Sequence, residues 1–387
     1  MHLEEYRTGL DTWLDAHADE LAPSSDAATP SNDGTALLDG EMAQLSKVKR
    51  LTFDAGWMRW GWPEHVGGLG GSPLLRGYLG EAVTTRGLVE PGLYSMTEVL
   101  APTMIDYATP ELAHEMVPRL LRGDETWCQG FSEPGTGSNL AALSCRATRV
   151  ERDSGPVWRV DGQKVWTSLA QYAQRCVLLV RTGSVEDAHR GISALFVDMD
   201  SPGITVRPIG TMHGRPEFSE VFFDGVEVPE TRLLGEPGQG WAVAMDLLPF
   251  ERSTALWHRG AFLRRRLEDL VHAAPRGSLQ PDQVGRAVAD LFALRARSRS
   301  TLRRLDAGER LGPETSIDKI LLGTCEQQVF DLAADALDER IALGDDPGSE
   351  HWRAEFLYSR AATIYGGSAE IQRNIVARRL LDLGADR

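Results

Sequence analysis

The segment "GQGWAVAMDLLPFERSTALWHRGAFL" carries Glu251 directly before Arg252. At helical spacing Ala244, Leu248, Ala255 and Phe262 share one side, and Glu251 falls beside that stripe. A carboxylate next to an apolar surface is either paired with a cation, with Arg252 adjacent, or poised with a raised pKa for proton transfer. Pro249 should kink the helix or begin a new segment, freeing backbone groups near Glu251. Two other stretches suit a flat polar ligand. "WCQGFSEPGTGSNLAAL" sets hydroxyls and small residues, from Ser132 to Asn139, in a loop whose backbone N–H groups allow close approach, although such a loop also reads as a plain surface turn. "GQKVWTSLAQ" places Trp166, Thr167 and Ser168 at a strand end, where the indole either stacks on a ring with polar edges or fills a core. Near the C-terminus, "TIYGGSAEIQRNIVARR" puts Gly366 and Gly367 before the last helix with no carboxylate in front of them.

The elements that must position these residues fall into three blocks. "HLEEYRTGLDTWLDAHADEL" and "ALLDGEMAQLSKVKRLTFDAGW" have apolar residues at helical spacing, separated by the loop "APSSDAATPSNDGT"; helices resume from Leu74 to about Leu121 after the glycine-rich break "WPEHVGGLGGSP". From Glu125 to Leu234 the period changes to two, in short β-rich runs between Gly, Pro and Asp turns. Connections that short exclude crossover helices and predict a compact antiparallel sheet rather than a Rossmann fold. Helical periodicity returns over Trp241 to Ala273, Pro281 to Ala307, Glu314 to Asp338 and His351 to Leu383, four segments that suggest a bundle. The expected domains are 1–124, 125–236 and 237–387.

Composition narrows the function. The 387 residues, 42% hydrophobic and 25% charged, describe a globular protein with a large core. A net charge of −15 argues against nucleic-acid binding. Cys128, Cys145, Cys176 and Cys325 show no CxxC pairing or His cluster, which disfavours a disulfide framework or a metal site and fits a cytoplasmic protein. Met1 to Leu21 lacks the apolar stretch of a secretory signal, and no window approaches the roughly 18 apolar residues of a membrane span.

In their order along the chain, "WPEHVGGLGG", "CQGFSEPGTGSN", "GQKVWTS", "MHGRPEFSEVFFDGVEVP", "LLGEPGQGWAVAMDLLPFER" and "IYGGSAEIQRNIVAR" resemble the acyl-CoA dehydrogenases, over about Trp57 to Leu381. The resemblance implies an α+β fold with an all-α N-terminal domain, a central antiparallel β domain and a C-terminal four-helix bundle, with FAD held between the last two and a neighbouring subunit. It implies α,β-dehydrogenation of an acyl-CoA thioester: a base takes the α-proton, the β-hydride passes to flavin N5, and an electron-transfer flavoprotein reoxidises the cofactor. Gln129, Phe131, Ser132, Gly137, Ser138, Trp166, Thr167, Ser168, Ser368, Ala369 and Glu370 would lie along the FAD. Arg252, Gly366, Gly367 and Arg378 would face the substrate. An acyl-thioester oxidase or a flavin monooxygenase of the same fold is the related alternative.

Two departures from the family pattern matter. Many relatives place the catalytic glutamate where this chain has Gly366, and a glycine accepts no proton. A second branch, including isovaleryl- and long-chain-type enzymes, carries the base on the first bundle helix directly before an arginine, which Glu251 and Arg252 match. Homomeric relatives also carry an Arg-x-x-Phe-Gly and a Gly-Gly-x-Gly segment that bind the ADP part of FAD across an interface. The corresponding regions here, "HAAPRGSLQPDQVGRAV" and "ALDERIALGDDPGSEHWRAE", have neither. The pattern implies a heteromer, α2β2, in which a paralogous subunit supplies the ADP contacts; a homo-oligomer with unusual contacts, and a subunit present only for assembly, are the other readings.

Overall fold

The computed structural model describes residues 1–23, 34–252 and 254–384. Most of the Pro/Ser/Asp loop expected before residue 36 therefore lies outside the described residues. The first block forms α1 (Leu3–Ala16), α2 (Ala18–Leu21), α3 (Gly34–Asp54), α4 (Pro73–Thr85), α5 (Pro91–Tyr107) and α6 (Pro110–Arg122). Local chemistry sets several ends. Ser72 caps α4 by accepting from the Leu74 N–H, Thr109 caps α6 through Leu112, and Gly123 ends α6 in the left-handed conformation at φ +81°.

The middle block is one sheet of β1 (Trp127–Gly130), β2 (Arg146–Val150), β3 (Val157–Ser168), β4 (Arg175–Arg181), β5 (Ile192–Asp198), β6 (Ile204–Ile209), β7 (Phe218–Pro229) and β8 (Leu233–Leu234). The order is β6-β7-β3-β2-β4-β5-β8, with β1 attached to β4. The β3–β7, β6–β7, β2–β3 and β4–β5 pairs are antiparallel, as the short connections require. β1 runs parallel to β4, Cys128 opposite Cys176, because a long excursion through the 131–145 loop and two further strands separates them.

The C-terminal block holds α7 (Gly240–Glu251), α8 (Thr254–Ala273), α9 (Pro281–Asp306), α10 (Thr315–Leu337), α11 (Glu339–Leu343), α12 (Pro347–Ser359) and α13 (Ala369–Ile375). Two of the four expected segments are broken. Trp241 to Ala273 divides at the end of α7, and the two halves belong to different cores: Val243, Ala244 and Leu247 pack with the N-terminal helices and one face of the sheet, whereas Leu256, Leu263 and Leu267 pack with α9 and α10. His351 to Leu383 divides at the Gly-Gly turn and ends in a π-helical turn, Val376–Leu380. No helix among the described residues is long and apolar enough to cross a membrane.

The N-terminal block is locked to the bundle where α4 crosses α8. A Cβ on Gly80 would sit 2.1 Å from His258 Nε2, and His258 is fully buried with its ring edge-on to Tyr94. Burial drives the His258 pKa down to about 3, so the ring packs neutral. Gly80→Ala must displace this ring. We expect a loss of about 1–3 kcal/mol, read as a lower thermal unfolding midpoint; a variant melting with the parent would show that the crossing can relax.

Candidate active site

Glu251 is delivered to its place by α7. The helix begins against the sheet, where a Cβ on Gly240 would lie 2.4 Å from the Ser193 carbonyl carbon. It runs through Pro249 and ends at Glu251, with the Arg252 N–H donating to the carbonyls of Leu248 and Pro249, both at 3.2 Å. The break thus comes after the proline rather than at it, at the junction between the two cores. The expected stripe is not continuous either: Ala244 is buried, Leu248 is only half-buried, and the Ala255 side chain lies outside those described.

The Gly-Gly turn meets this helix end. Gly366 and Gly367 have φ of +63° and +93°, the region where glycine alone is unstrained. A Cβ on Gly366 would lie 2.9 Å from Glu251 Oε1. The Glu251 carboxylate therefore stands against the position from which a residue 366 side chain would project. Arg252, buried to 9% exposure, turns to the same turn and donates from Nε to the Gly366 carbonyl at 3.1 Å. Glu251 Oε2 is buried with no hydrogen-bond partner among the described residues. A carboxylate in the last turn of a helix faces the unfavourable end of its dipole. Positive charge comes from Lys319 of α10, which is 4% exposed; its Cε would be 3.2 Å from the same Cβ, and its Nζ lies 4.0 Å from the Tyr365 ring centroid. Burial lowers the Lys319 pKa to about 8, against the pull of Glu326 and Glu251.

The β-domain residues form a surface suited to a planar group. Trp166 is 58% exposed and held at φ +59°, a strained conformation for an aromatic residue, just where the β3–β7 register slips between Lys164 and Thr167. The 131–139 loop is pinned beneath by Glu133, which accepts from the N–H groups of Ser144 and Cys145 and from Lys164 Nζ at 2.8 Å. Burial opposes the Glu133 charge, but Lys164 and these donors hold its pKa below the usual carboxylate range. Gly137 and Ser138 are exposed at the loop tip, Ser132 and Ser168 are half-buried, and Phe131 is buried. Buried oxygens of Gln129, Thr136 and Thr167 have no hydrogen-bond partner among the described residues. An exposed indole beside hydroxyls and unpaired oxygens fits a flavin ring with polar edges. At the other end of the turn, Ser368 caps α13 by accepting from the Ile371 N–H, Ala369 is half-buried, and Glu370 and Arg378 are exposed.

A cavity of about 180 Å³ opens beside Glu251 and reaches Gln129, Ser168 and Tyr365. Leu93, Met96, Val99, Leu256 and Leu322 give it an apolar wall.

Comparisons with known proteins identify the family and the fold. The family descriptions "Acyl-CoA dehydrogenase, N-terminal domain", "middle domain" and "C-terminal domain" match residues 32–124, 128–226 and 238–381. The chain is 36% identical, over 98% of both sequences, to acyl-CoA dehydrogenase IpdE1 of Mycobacterium tuberculosis, and 37% identical to IpdE1 of Mycolicibacterium smegmatis over 99% of this chain and 98% of the other. The chain belongs to the acyl-CoA dehydrogenase family. Among solved structures, the Tcur3481-Tcur3483 steroid ACAD aligns with a TM-score of 0.81 at 27% identity, over 100% of this chain and 98% of the other. The ChsE4-ChsE5 complex from Mycobacterium tuberculosis aligns with a TM-score of 0.77 at 25% identity over the whole of both chains.

The chain is thus one of a family of flavoprotein oxidoreductases, and three residues beside its candidate site did not stand out in the sequence. Lys319, Gln372 and Tyr365 surround the Gly-Gly turn, and Gln372 Nε2 approaches the Gly366 carbonyl at 3.4 Å. A signal existed for Lys319: in "TSIDKILLGTCEQ" it shares helical spacing with Leu322 and Glu326, so a lysine and a glutamate stand on the buried stripe. If the space at residue 366 belongs to the Glu251 carboxylate, Gly366→Ala displaces it and lowers kcat/KM for acyl-CoA oxidation by about 10²-fold with the fold retained. Unchanged steady-state rates would show that the carboxylate position is not critical.

Proposed function

We propose that the chain is a catalytic subunit of an acyl-CoA dehydrogenase that uses FAD and takes the substrate α-proton with Glu251. The observation that carries this reading is the 2.9 Å between Glu251 Oε1 and the Cβ position of Gly366. In the branch with a glutamate at the Gly-Gly turn, the base projects from that position; here it reaches the same space from α7. The chemistry constrains where the carboxylate lies, not which segment bears it.

The remaining residues follow from what the reaction needs. A thioester α-C–H is a very weak acid, so the base must be dry and aimed. The end of α7 against the turn leaves Glu251 Oε2 buried, the Arg252 bond to the Gly366 carbonyl fixes the turn, and Lys319 balances the charge. The apolar wall of Leu93, Met96, Val99 and Leu256 receives the acyl chain. The 131–138 loop, Trp166, Thr167, Ser168 and the Ser368–Glu370 segment would hold the flavin, and Arg378 the carrier end of the substrate. FAD, when bound, supplies the hydride acceptor, and an electron-transfer flavoprotein is the expected oxidant.

The ADP half of the cofactor is assigned to a paralogous partner subunit. At the N-terminus of α12, where free N–H groups could hold a phosphate, the Asp346 carboxylate already accepts from Gly348 and Ser349, both at 3.1 Å. Asp345 and Asp346 add negative charge there. The ChsE4-ChsE5 complex shows that a similar chain assembles with a second one.

Glu251→Gln tests the base: flavin content should stay at the parent level while kcat falls by about 10⁴-fold or more, and near-parental turnover would reject the assignment. Assembly is tested by flavin content. The chain alone should purify with little FAD, and co-expression with a paralogue bearing the Arg-x-x-Phe-Gly motif should restore one FAD per pair; full occupancy in a homomer would reject the divided site.

A further inference from the structure

The cavity beside Glu251 is not apolar throughout. Away from the Leu and Met wall it is lined by Glu90, Arg215, Glu217, Arg259 and Glu355, contributed by all three blocks of the chain. A pocket for a plain alkyl chain gains nothing from such groups, because burying charge and polar atoms is costly unless they meet partners. Some of these groups are already committed. Arg259 donates from Nη2 to Glu326 and Glu355, both at 3.0 Å, and Arg215 pairs through Nη2 with Glu41 at 2.9 Å.

Others keep polar atoms without partners. The Glu90 carboxyl, which lines the cavity, forms no hydrogen bond or ion pair among the described residues; only the Glu90 backbone carbonyl is used, accepting from the Tyr94 N–H at 3.1 Å. Arg215 is 9% exposed, and its buried Nε–H has no partner among the described residues. Glu217 is held only loosely, 3.5 Å from His213 and 4.0 Å from Arg215. Burial, reinforced by Glu355, raises the Glu90 pKa; burial opposes the Arg215 charge, which Glu41 and Glu90 nevertheless hold above its ordinary range.

We propose that this end of the cavity binds an oxygen substituent on the acyl group, so that the preferred substrate is an acyl-CoA bearing a hydroxyl remote from the thioester. The inference rests on the acyl-CoA reading above and specifies it. A hydroxyl both accepts and donates, matching a group of donors and carboxylates held together. A substrate carboxylate is disfavoured: three lining carboxylates, Glu90, Glu217 and Glu355, face two guanidiniums that already have partners. A site built to hydrogen-bond a substrate hydroxyl also rejects the analogue lacking it, since its own polar groups are then left unpaired. Glu90 and Arg215 are therefore specificity-determining residues.

The test is binding, measured by calorimetry on the flavin-loaded complex carrying Glu251→Gln, so that nothing turns over and the result does not depend on which residue is the base. The probes are octanoyl-CoA, ω-hydroxyoctanoyl-CoA and the corresponding ω-carboxylate. The hydroxylated thioester should bind at least about tenfold more tightly than octanoyl-CoA, and the ratio should fall to about one when Arg215→Met or Glu90→Leu is added. Because Arg215 also pairs with Glu41, Glu90→Leu decides the matter if Arg215→Met loses its fold. Equal affinity for the plain and hydroxylated chains, tightest binding of the ω-carboxylate, or a ratio unaffected by Glu90→Leu overturns the proposal and leaves the acyl-CoA reading standing. Failure of all three thioesters to bind overturns both.

Discussion

The arrangement depends on one steric constraint: nothing larger than hydrogen fits on residue 366 while Glu251 occupies its place. The positive φ of Gly366 and Gly367 lets the backbone turn back toward α7, and the missing Cβ leaves room for a carboxylate arriving from another segment. Arg252 then ties the two segments together through the Gly366 carbonyl. Helix end, turn and α10 lysine therefore form a single unit.

That unit lies where the molecule's cores meet. α7 is anchored in the core shared by the N-terminal helices and the sheet, and α8 opens the core of the bundle. A residue at the junction meets both cores, and Glu251 Oε2 there has no hydrogen-bond partner among the described residues. The cavity opens at the same meeting point, so its lining is drawn from segments far apart in sequence.

This explains what could be read in the sequence. The blocks were legible because periods of 3.6 and 2 reflect local burial, and turn residues mark their ends. The loop from Ser132, the Trp166 strand end and the Glu251–Arg252 pair stood out because their residue types are unusual for where they fall. Breaks within helices were harder: Pro249 marks a kink near Glu251, but the helical period continues from α7 into α8, and only the tertiary packing sends the two to different cores. The parallel pairing of β1 with β4 is likewise non-local. Arg215, Glu90 and Glu355 are ordinary charged residues in sequence, and nothing local shows that three separate segments bring them to one cavity. Lys319 was the exception, a charge on a buried stripe.

The exposure of Trp166 has a consequence of its own. An indole displayed on the surface by a strained backbone is permanent, whether or not anything covers it, and large exposed aromatics promote self-association. Phe292 is also exposed, at 75%. The formal charge of −15 then acquires a colloidal role: long-range repulsion between like chains keeps such adhesive surfaces apart.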